Sequence, residues 1–233
     1  MTNELQNQFL KAFEDPEWVR NYSDGPVKFT PGFLDVHKMV NILIQESVPD
    51  QAQILVHGAG GGLELEALAE ANPTWQFVGV DPAKPMLDIA EARLAPVMDR
   101  VTLHQGFIES APKGPFDGAT SLLTLHFLDA SERVETVKNI VRRLKSGAPF
   151  IAVHSSFPSD QTNQDVWMSR YEAFAVASGV EPDEASRARE AVASMSTVFD
   201  SRVDVQILKD AGLTGVSAFY SAFTWSGWIG YAP

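Results

Sequence analysis

The chain has 233 residues, of which 45% are hydrophobic and 21% charged, a composition typical of one globular domain and not of a disordered chain. Its 18 Lys and Arg residues stand against 30 Asp and Glu, and a net charge of −12 without a basic patch argues against direct binding of nucleic acid. The absence of cysteine excludes disulfides, thiolate chemistry and zinc sites built on cysteine, and the sequence predicts no other metal site.

The first residues of the chain are acidic and polar, without the basic, apolar and small-residue regions of a signal peptide. No apolar run approaches the roughly 18 residues that a membrane-spanning helix requires. We therefore expect a soluble, cytoplasmic protein that does not associate with membranes.

Residues 1–48 predict two helices that would form an N-terminal cap. Leu5, Phe9 and Phe13 form the apolar stripe of the first helix. The second is expected to begin at Thr30, as the N-cap, with Pro31 in the first turn.

The middle of the chain alternates strand-like and helical patterns. The expected strands are 53–57, 75–81, 101–106, 117–123 and 149–155. The expected helices are 63–71, 85–94 and 131–144. Such alternation builds βαβ units, and strands that are apolar nearly throughout indicate a sheet covered on both faces. The predicted fold is therefore α/β, with a doubly wound, mostly parallel sheet.

The rest of the chain predicts a second helical cap and a C-terminal hairpin. A helix is expected from Arg202 to Ala211, where Gly212 ends it, and the aromatic tail after it predicts an antiparallel hairpin at the sheet edge. We expect a single domain made of an N-terminal cap (1–48), a core (49–155), a helical cap insertion (156–199) and a C-terminal helix and hairpin (200–233).

One loop carries the strongest functional signal. The strand at 53–57 runs directly into Gly58-Ala59-Gly60-Gly61-Gly62 and then into a helix. Glycines there permit positive φ and close approach of a ligand, and the helix N-terminus offers free N–H groups, so a nucleotide-like ligand is predicted. The alternative is a tight strand-to-helix connection that binds nothing.

Asp81 ends the next strand, where an acid can accept hydrogen bonds from both ribose hydroxyls of an adenosine-containing cofactor. The same aspartate could instead cap the following helix. The spacing bears on the cofactor, because a G-x-G-x-x-G dinucleotide motif begun at Gly58 would need glycine where Leu63 stands. A G-x-G-x-G pattern fits instead, at Gly58, Gly60 and Gly62.

Two blocks of sequence extend this signal. The first is ILVHGAGGGLELEALAEANPTWQFVGVDPAKPMLDIAEARL, and the second is FDGATSLLTLHFLDASERVETVKNIVRRLKSGAPFIAVH. With them the chain resembles the class I S-adenosylmethionine-dependent methyltransferases. The resemblance implies a seven-stranded Rossmann-like sheet with an antiparallel C-terminal hairpin, S-adenosyl-L-methionine as the cofactor, and an enzyme that transfers methyl groups.

The resemblance also implies a cofactor site along the ends of the first four strands. Its expected members are Gly58, Ala59, Gly60, Gly62, Asp81, Pro82, Met86, Gln105, Gly106, Phe107, Ile108 and Leu122. Two positions depart from the family, since Val56 stands where an acid is common in the first strand and Phe107 replaces an acid after the third. Adenine would then be recognised by Gln105, the main chain at 107–108 or Glu109, with Phe107 stacking on its ring.

Methyl transfer needs alignment and a dry pocket more than it needs catalytic side chains, although an oxygen nucleophile often needs a base. The candidates are His126, just past the fourth strand, and His37 in the N-terminal cap, with His154 as a third. For each of them the alternative is a hydrogen-bonded structural histidine.

The two caps are expected to cover the substrate. The predicted substrate contacts are Tyr22, Phe29, Phe33, Trp167, Arg170, Tyr171 and Phe199, of which at least half should prove to be core residues, since aromatic stripes at helical spacing usually pack inward. We expect a methyltransferase of a small molecule. The alternatives are an enzyme that makes a modified S-adenosylmethionine, as carboxy-S-adenosylmethionine synthases do, and a non-catalytic cofactor-binding or scaffold protein. The sequence leaves open whether the chain is a monomer or a homodimer.

Overall fold

The structure is a computed structural model that describes residues 25–158 and 161–233. The predicted helix with Leu5, Phe9 and Phe13, and the candidate substrate residue Tyr22, lie outside the described residues. None of the helices in the described ranges has the length and apolar character needed to cross a membrane.

Seven strands of the described chain form one sheet in the order β3-β2-β1-β4-β5-β7-β6. The strands are β1 (Gln53–His57), β2 (Gln76–Asp81), β3 (Val101–Gln105), β4 (Gly118–Leu122), β5 (Pro149–Ser155), β6 (Thr214–Ala222) and β7 (Trp225–Tyr231). Strands β1 to β5 pair in parallel, whereas β7 is antiparallel to both β5 and β6. The predicted hairpin is confirmed, with β7 inside the sheet and β6 at its edge.

Helices flank both faces of this sheet. They are α1 (Gly25–Phe29), α2 (Phe33–Gln45), α3 (Leu63–Ala71), α4 (Lys84–Arg93), α5 (Ala130–Val141), α6 (Gln161–Ala177), α7 (Pro182–Ala193) and α8 (Ser201–Asp210). Helices α2, α3 and α4 pack on one face, whereas α5 and α8 pack on the other. Because both faces are covered, β4 and β5 are buried along their whole length. The doubly wound α/β fold is confirmed.

The expected start of α2 is wrong by two residues. Its N-cap is Gly32, at φ 68°, and no side chain caps the helix. The N–H of Thr30 instead donates to the carbonyl of Pro26, 2.9 Å away, so Thr30 closes the short helix α1. Glycine takes up the left-handed conformation that turns the chain from α1 into α2.

A cluster of apolar side chains, here named the aromatic cluster, lies beside the carboxyl ends of β4 and β5. Its buried members are Phe157, Met168, Tyr171, Met195, Val198 and Trp225, and its partly buried ones include Phe29, Leu123, Phe127, Trp167 and Tyr220. Leu123 and Phe127 follow β4, and Trp225 pairs with Ser155 at the end of β5. Helix α6 thus places its apolar side chains at the edge of the sheet where ligands bind in open α/β folds.

Candidate functional site

The glycine loop between β1 and α3 is held against the neighbouring strands. The N–H groups of Gly58 and Ala59 both donate to the carbonyl of Val80, at 2.9 and 3.0 Å. Gly58 has φ 76°, and a Cβ at this position would collide with the side chain of Thr124 beyond β4. The turn therefore needs glycine at 58 both for its backbone conformation and for space.

Asp81 fixes this loop from the end of β2. Its Oδ2 accepts from the N–H of Gly60 at 2.8 Å, and its Oδ1 accepts from the N–H of Ala83 at 2.9 Å. Burial raises the pKa of the Asp81 carboxyl, and the two backbone hydrogen bonds oppose that shift. A carboxylate can accept about four hydrogen bonds, so two ribose hydroxyls could still be bound beside the two backbone donors. The alternative role as a helix cap is wrong, since the N-cap of α4 is Ala83 and no side chain caps that helix. Asp81 supports the loop and has the capacity to bind a ligand as well.

The ends of the first three strands form a row. Asp81 is in register with Gln105, and His57, which precedes the loop, is in register with Val80. Since neighbouring strands lie about 4.8 Å apart, the glycine loop, the carboxylate and the 105–107 turn are successive steps along one edge. The Phe107 ring at the far end is 36% exposed and so available for stacking. A loop, an acid and an aromatic ring in this order fit the amino-acid end, ribose and adenine of S-adenosylmethionine.

The other predicted cofactor residues differ in their exposure to solvent. Pro82 is half-buried, Gln105 is exposed, and Gly106 donates its N–H to the carbonyl of Asp81 at 3.0 Å. The side chains of Ala59, Met86, Ile108 and Leu122 are all buried in the protein interior. That any of these four residues contacts the cofactor stays a prediction.

His126 lies in a short turn just beyond β4, buried against the aromatic cluster. Its ring packs edge-on against Trp225, with centroids 5.6 Å apart, and its Nδ1 accepts a long hydrogen bond, 3.4 Å, from the N–H of Ser155. Burial lowers the pKa of His126 well below its usual value, and the nearby His154 and Arg133 lower it further. The ring is therefore neutral at pH 7.

The other two candidate histidines lie elsewhere in the fold. His37 lies on α2 against Phe33, with ring centroids 4.5 Å apart, and burial lowers its pKa to about 4. His154 is buried in β5, with its Nε2 3.1 Å from Oδ1 of Asp204. Burial lowers the pKa of His154 more than the Asp204 carboxylate raises it. His154 thus belongs to a buried polar network.

That network centres on an ion pair that the sequence did not reveal. Arg133 of α5 pairs with Asp204 of α8, and both side chains are wholly buried. The guanidinium also donates to the carbonyl of Thr197 at 2.7 Å and lies 4.8 Å over the Phe199 ring. A signal was present, because Arg133, Val137 and Ile140 share the buried side of α5 at helical spacing.

Glu64 is a second buried ionisable group that the sequence analysis did not single out. It is the second residue of α3, directly after the glycine loop, and it is 7% exposed. Burial raises the pKa of Glu64 to about 8, and the neighbouring Thr120 side chain opposes that shift. Glu64 lies one turn before Leu68 and so on the apolar side of α3. This spacing is visible in the sequence and was the signal for its burial.

The predicted substrate residues divide into groups. Phe29, Trp167 and Tyr171 join the aromatic cluster, and the rings of Phe29 and Tyr171 stack 5.5 Å apart. Arg170 lies with its guanidinium 4.6 Å over the Trp167 ring. Phe33 packs on His37, and Phe199 lies under Arg133, so neither is among the cluster's members. That substrate touches any of them stays a prediction.

Comparison with known proteins agrees with this geometry. The family model of a methyltransferase domain matches residues 54–147, which run from β1 through the glycine loop and Asp81 to the turn before β5. Over these residues the chain is similar to a methyltransferase domain, as its resemblance to the class I S-adenosylmethionine-dependent methyltransferases implied. The resemblance seen in the sequence is confirmed over this range, which contains the glycine loop, Asp81 and His126.

Two curated relatives and one solved structure show how similar the chain is to known proteins. The carboxy-S-adenosyl-L-methionine synthase of Campylobacter lari is 25% identical over 92% of this chain and 91% of its own length. The demethylmenaquinone methyltransferase of Symbiobacterium thermophilum is 32% identical, but over 42% of this chain and 40% of its own. The crystal structure of a SAM-dependent methyltransferase from Aquifex aeolicus superposes with a TM-score of 0.62 at 16% identity, covering 94% of this chain and 99% of that one.

Proposed function

We propose that this methyltransferase domain binds S-adenosylmethionine along the row from the glycine loop through Asp81 to Phe107, and transfers its methyl group to a small molecule. The observation that carries the proposal is the aromatic cluster beside the carboxyl ends of β4 and β5, next to that row. When bound, the cofactor supplies an electrophilic methyl group on a sulfonium.

The chain's own contribution is to enclose and to orient. The aromatic cluster excludes water from the end of β4, which favours a small, largely apolar acceptor. Trp225 and Tyr220 donate hydrogen bonds to the carbonyls of Phe29 and Pro31, at 2.9 and 2.6 Å, so α1 is fixed to the hairpin. A rigid enclosure of this kind aligns an acceptor with the reacting methyl group. The negative charge of the chain also supports a small-molecule substrate over a nucleic acid.

A second candidate function is the synthesis of a carboxylated S-adenosylmethionine. It is favoured by the relative from Campylobacter lari, which matches nearly the whole of both chains, caps included. Analysis of the sulfur nucleoside formed from S-adenosylmethionine in a small-molecule extract distinguishes the two. Methyl transfer yields S-adenosylhomocysteine, whereas the second candidate yields a sulfonium that has gained a carboxyl group.

Binding of the sulfur nucleosides is the first prediction. S-adenosylmethionine or S-adenosylhomocysteine at about 100 times its dissociation constant should stabilise the fold by roughly 2.7 kcal/mol, a rise in melting temperature of about 5–10 °C for a chain of this size. NAD should give no shift, and Asp81→Ala should lose most of it because the ribose loses a charged acceptor. An equal shift with NAD, or none with either nucleoside, would remove the basis of the assignment.

The second prediction concerns His126 as a general base. Replacement by Ala should lower turnover by about 10²-fold and leave cofactor affinity nearly unchanged. Gln should do the same, because its amide cannot accept the proton. Since the pKa of His126 lies well below 6.5, the pH profile of turnover should have no histidine inflection between pH 6 and 7.

The hydrogen bond from Ser155 makes Gln the informative variant. If Nδ1 of His126 accepts that bond, its proton lies on Nε2, which is then a donor. His126 acts as a base only when this long bond is given up. A His126→Gln enzyme that retains wild-type turnover while His126→Ala loses it would exclude the base and indicate a hydrogen-bond donor that orients the acceptor.

A further inference from the structure

Glu64 is a buried acid for which the described residues supply no counter-charge. Its Oε1 is buried and has no hydrogen-bond partner among them, and no basic side chain contributes to the shift of its pKa. Burying a carboxyl without a partner is unfavourable, and most buried polar side chains in native proteins are paired. A cation brought by a ligand would provide the missing partner.

The position of Glu64 indicates which ligand group this could be. Glu64 lies two residues after Gly62 and beside the side chain of Thr120, and Thr120 is in register with Val56, two residues before the glycine loop. The carboxyl therefore lies at the base of the loop, at the level of Val56. Val56 itself is apolar and buried, so the acid at this level comes from α3 and not from β1.

We propose that Glu64 binds the ammonium group of the cofactor's amino-acid end. The inference rests on the proposed function, in which Asp81 takes the ribose and Phe107 the adenine. With those two placed, the row along the sheet edge leaves the glycine loop for the amino-acid end. A carboxylate and an ammonium brought together out of water form a strong, charge-assisted hydrogen bond.

The test compares two ligands that differ by one group. S-adenosylhomocysteine and its deaminated analogue, which keeps the carboxylate, are titrated calorimetrically into wild-type protein and Glu64→Gln. We expect Glu64→Gln to weaken the binding of S-adenosylhomocysteine at least about tenfold, which is the scale of one charged hydrogen bond. The same substitution should change the affinity for the deaminated analogue less than about twofold. Glu70→Gln, which removes an exposed acid from the same helix, should change neither affinity.

The outcomes separate the inference from the function on which it rests. If Glu64→Gln weakens the binding of both ligands equally, or of neither, Glu64 does not bind the ammonium group. If wild-type protein binds no S-adenosylhomocysteine, the cofactor assignment itself fails, and the inference with it. Melting curves of each variant identify a folding defect. The wild-type protein gives an independent measurement, since it should bind the deaminated analogue at least about tenfold more weakly than S-adenosylhomocysteine.

Discussion

Replacing Arg133 by Met should lower the free energy of unfolding by about 3–5 kcal/mol, because the substitution leaves the Asp204 carboxylate buried without its cation. Burial raises the pKa of Asp204, but its contacts with His154, Arg133 and Ser156 together hold that pKa below its usual value. Arg133→Met also removes the donor to the carbonyl of Thr197, which has no alternative donor in the described contacts. Thermal denaturation should show a fall of about 10 °C or more.

A double substitution tests this explanation. Arg133→Met with Asp204→Leu removes both charges, and apolar replacement of a buried pair is often neutral or stabilising. It should therefore recover most of the stability that the single change loses. Arg143→Met is the matched control, since Arg143 is a buried arginine just past α5 that donates to the carbonyls of Pro112 and Asn139. Asp204→Leu should not restore the stability that Arg143→Met loses. If the double variant Arg133→Met with Asp204→Leu is no more stable than Arg133→Met alone, the unpaired charge is not the cause of the loss.

The fold was predictable from sequence because its signals are local. Strands that are apolar on both sides, joined by helices of about ten residues, have few architectures other than a doubly wound sheet. The error at Thr30 and Pro31 is also physical, since a good capping pair was present, but the turn needed left-handed Gly32 and the helix began after it.

The geometry of the glycine loop and Asp81 was predictable for the same reason. The glycine loop and Asp81 are each defined by a few neighbouring residues, and strand register then brings them together. The packing of the aromatic residues in the caps was not predictable, because helical spacing does not tell an aromatic residue that packs in a core from one that lines a pocket. Phe33 and Phe199 looked like Trp167 and Tyr171 in sequence, and tertiary contacts separated them.

Glu64→Gln should raise the stability of the ligand-free protein, by an amount that grows with pH. The unfolded carboxyl titrates near 4.5, whereas the folded one has a pKa raised to about 8. Between these values the folded state binds the proton that the unfolded state has lost, so stability falls as pH rises through this window. The glutamine side chain does not titrate and removes this dependence.

Each pH unit across that window corresponds to at most about 1.4 kcal/mol, so the advantage of Glu64→Gln should be small at pH 5 and on the order of 3–5 kcal/mol at pH 8. Urea denaturation of both proteins at the two pH values measures it, and Glu70→Gln provides the control for simple loss of negative charge. Equal differences at pH 5 and 8 would mean that Glu64 is not held neutral in the fold. A variant that is more stable at pH 8 and yet binds S-adenosylhomocysteine more weakly would show that this acid lowers stability in order to bind the ligand, as residues of functional sites commonly do.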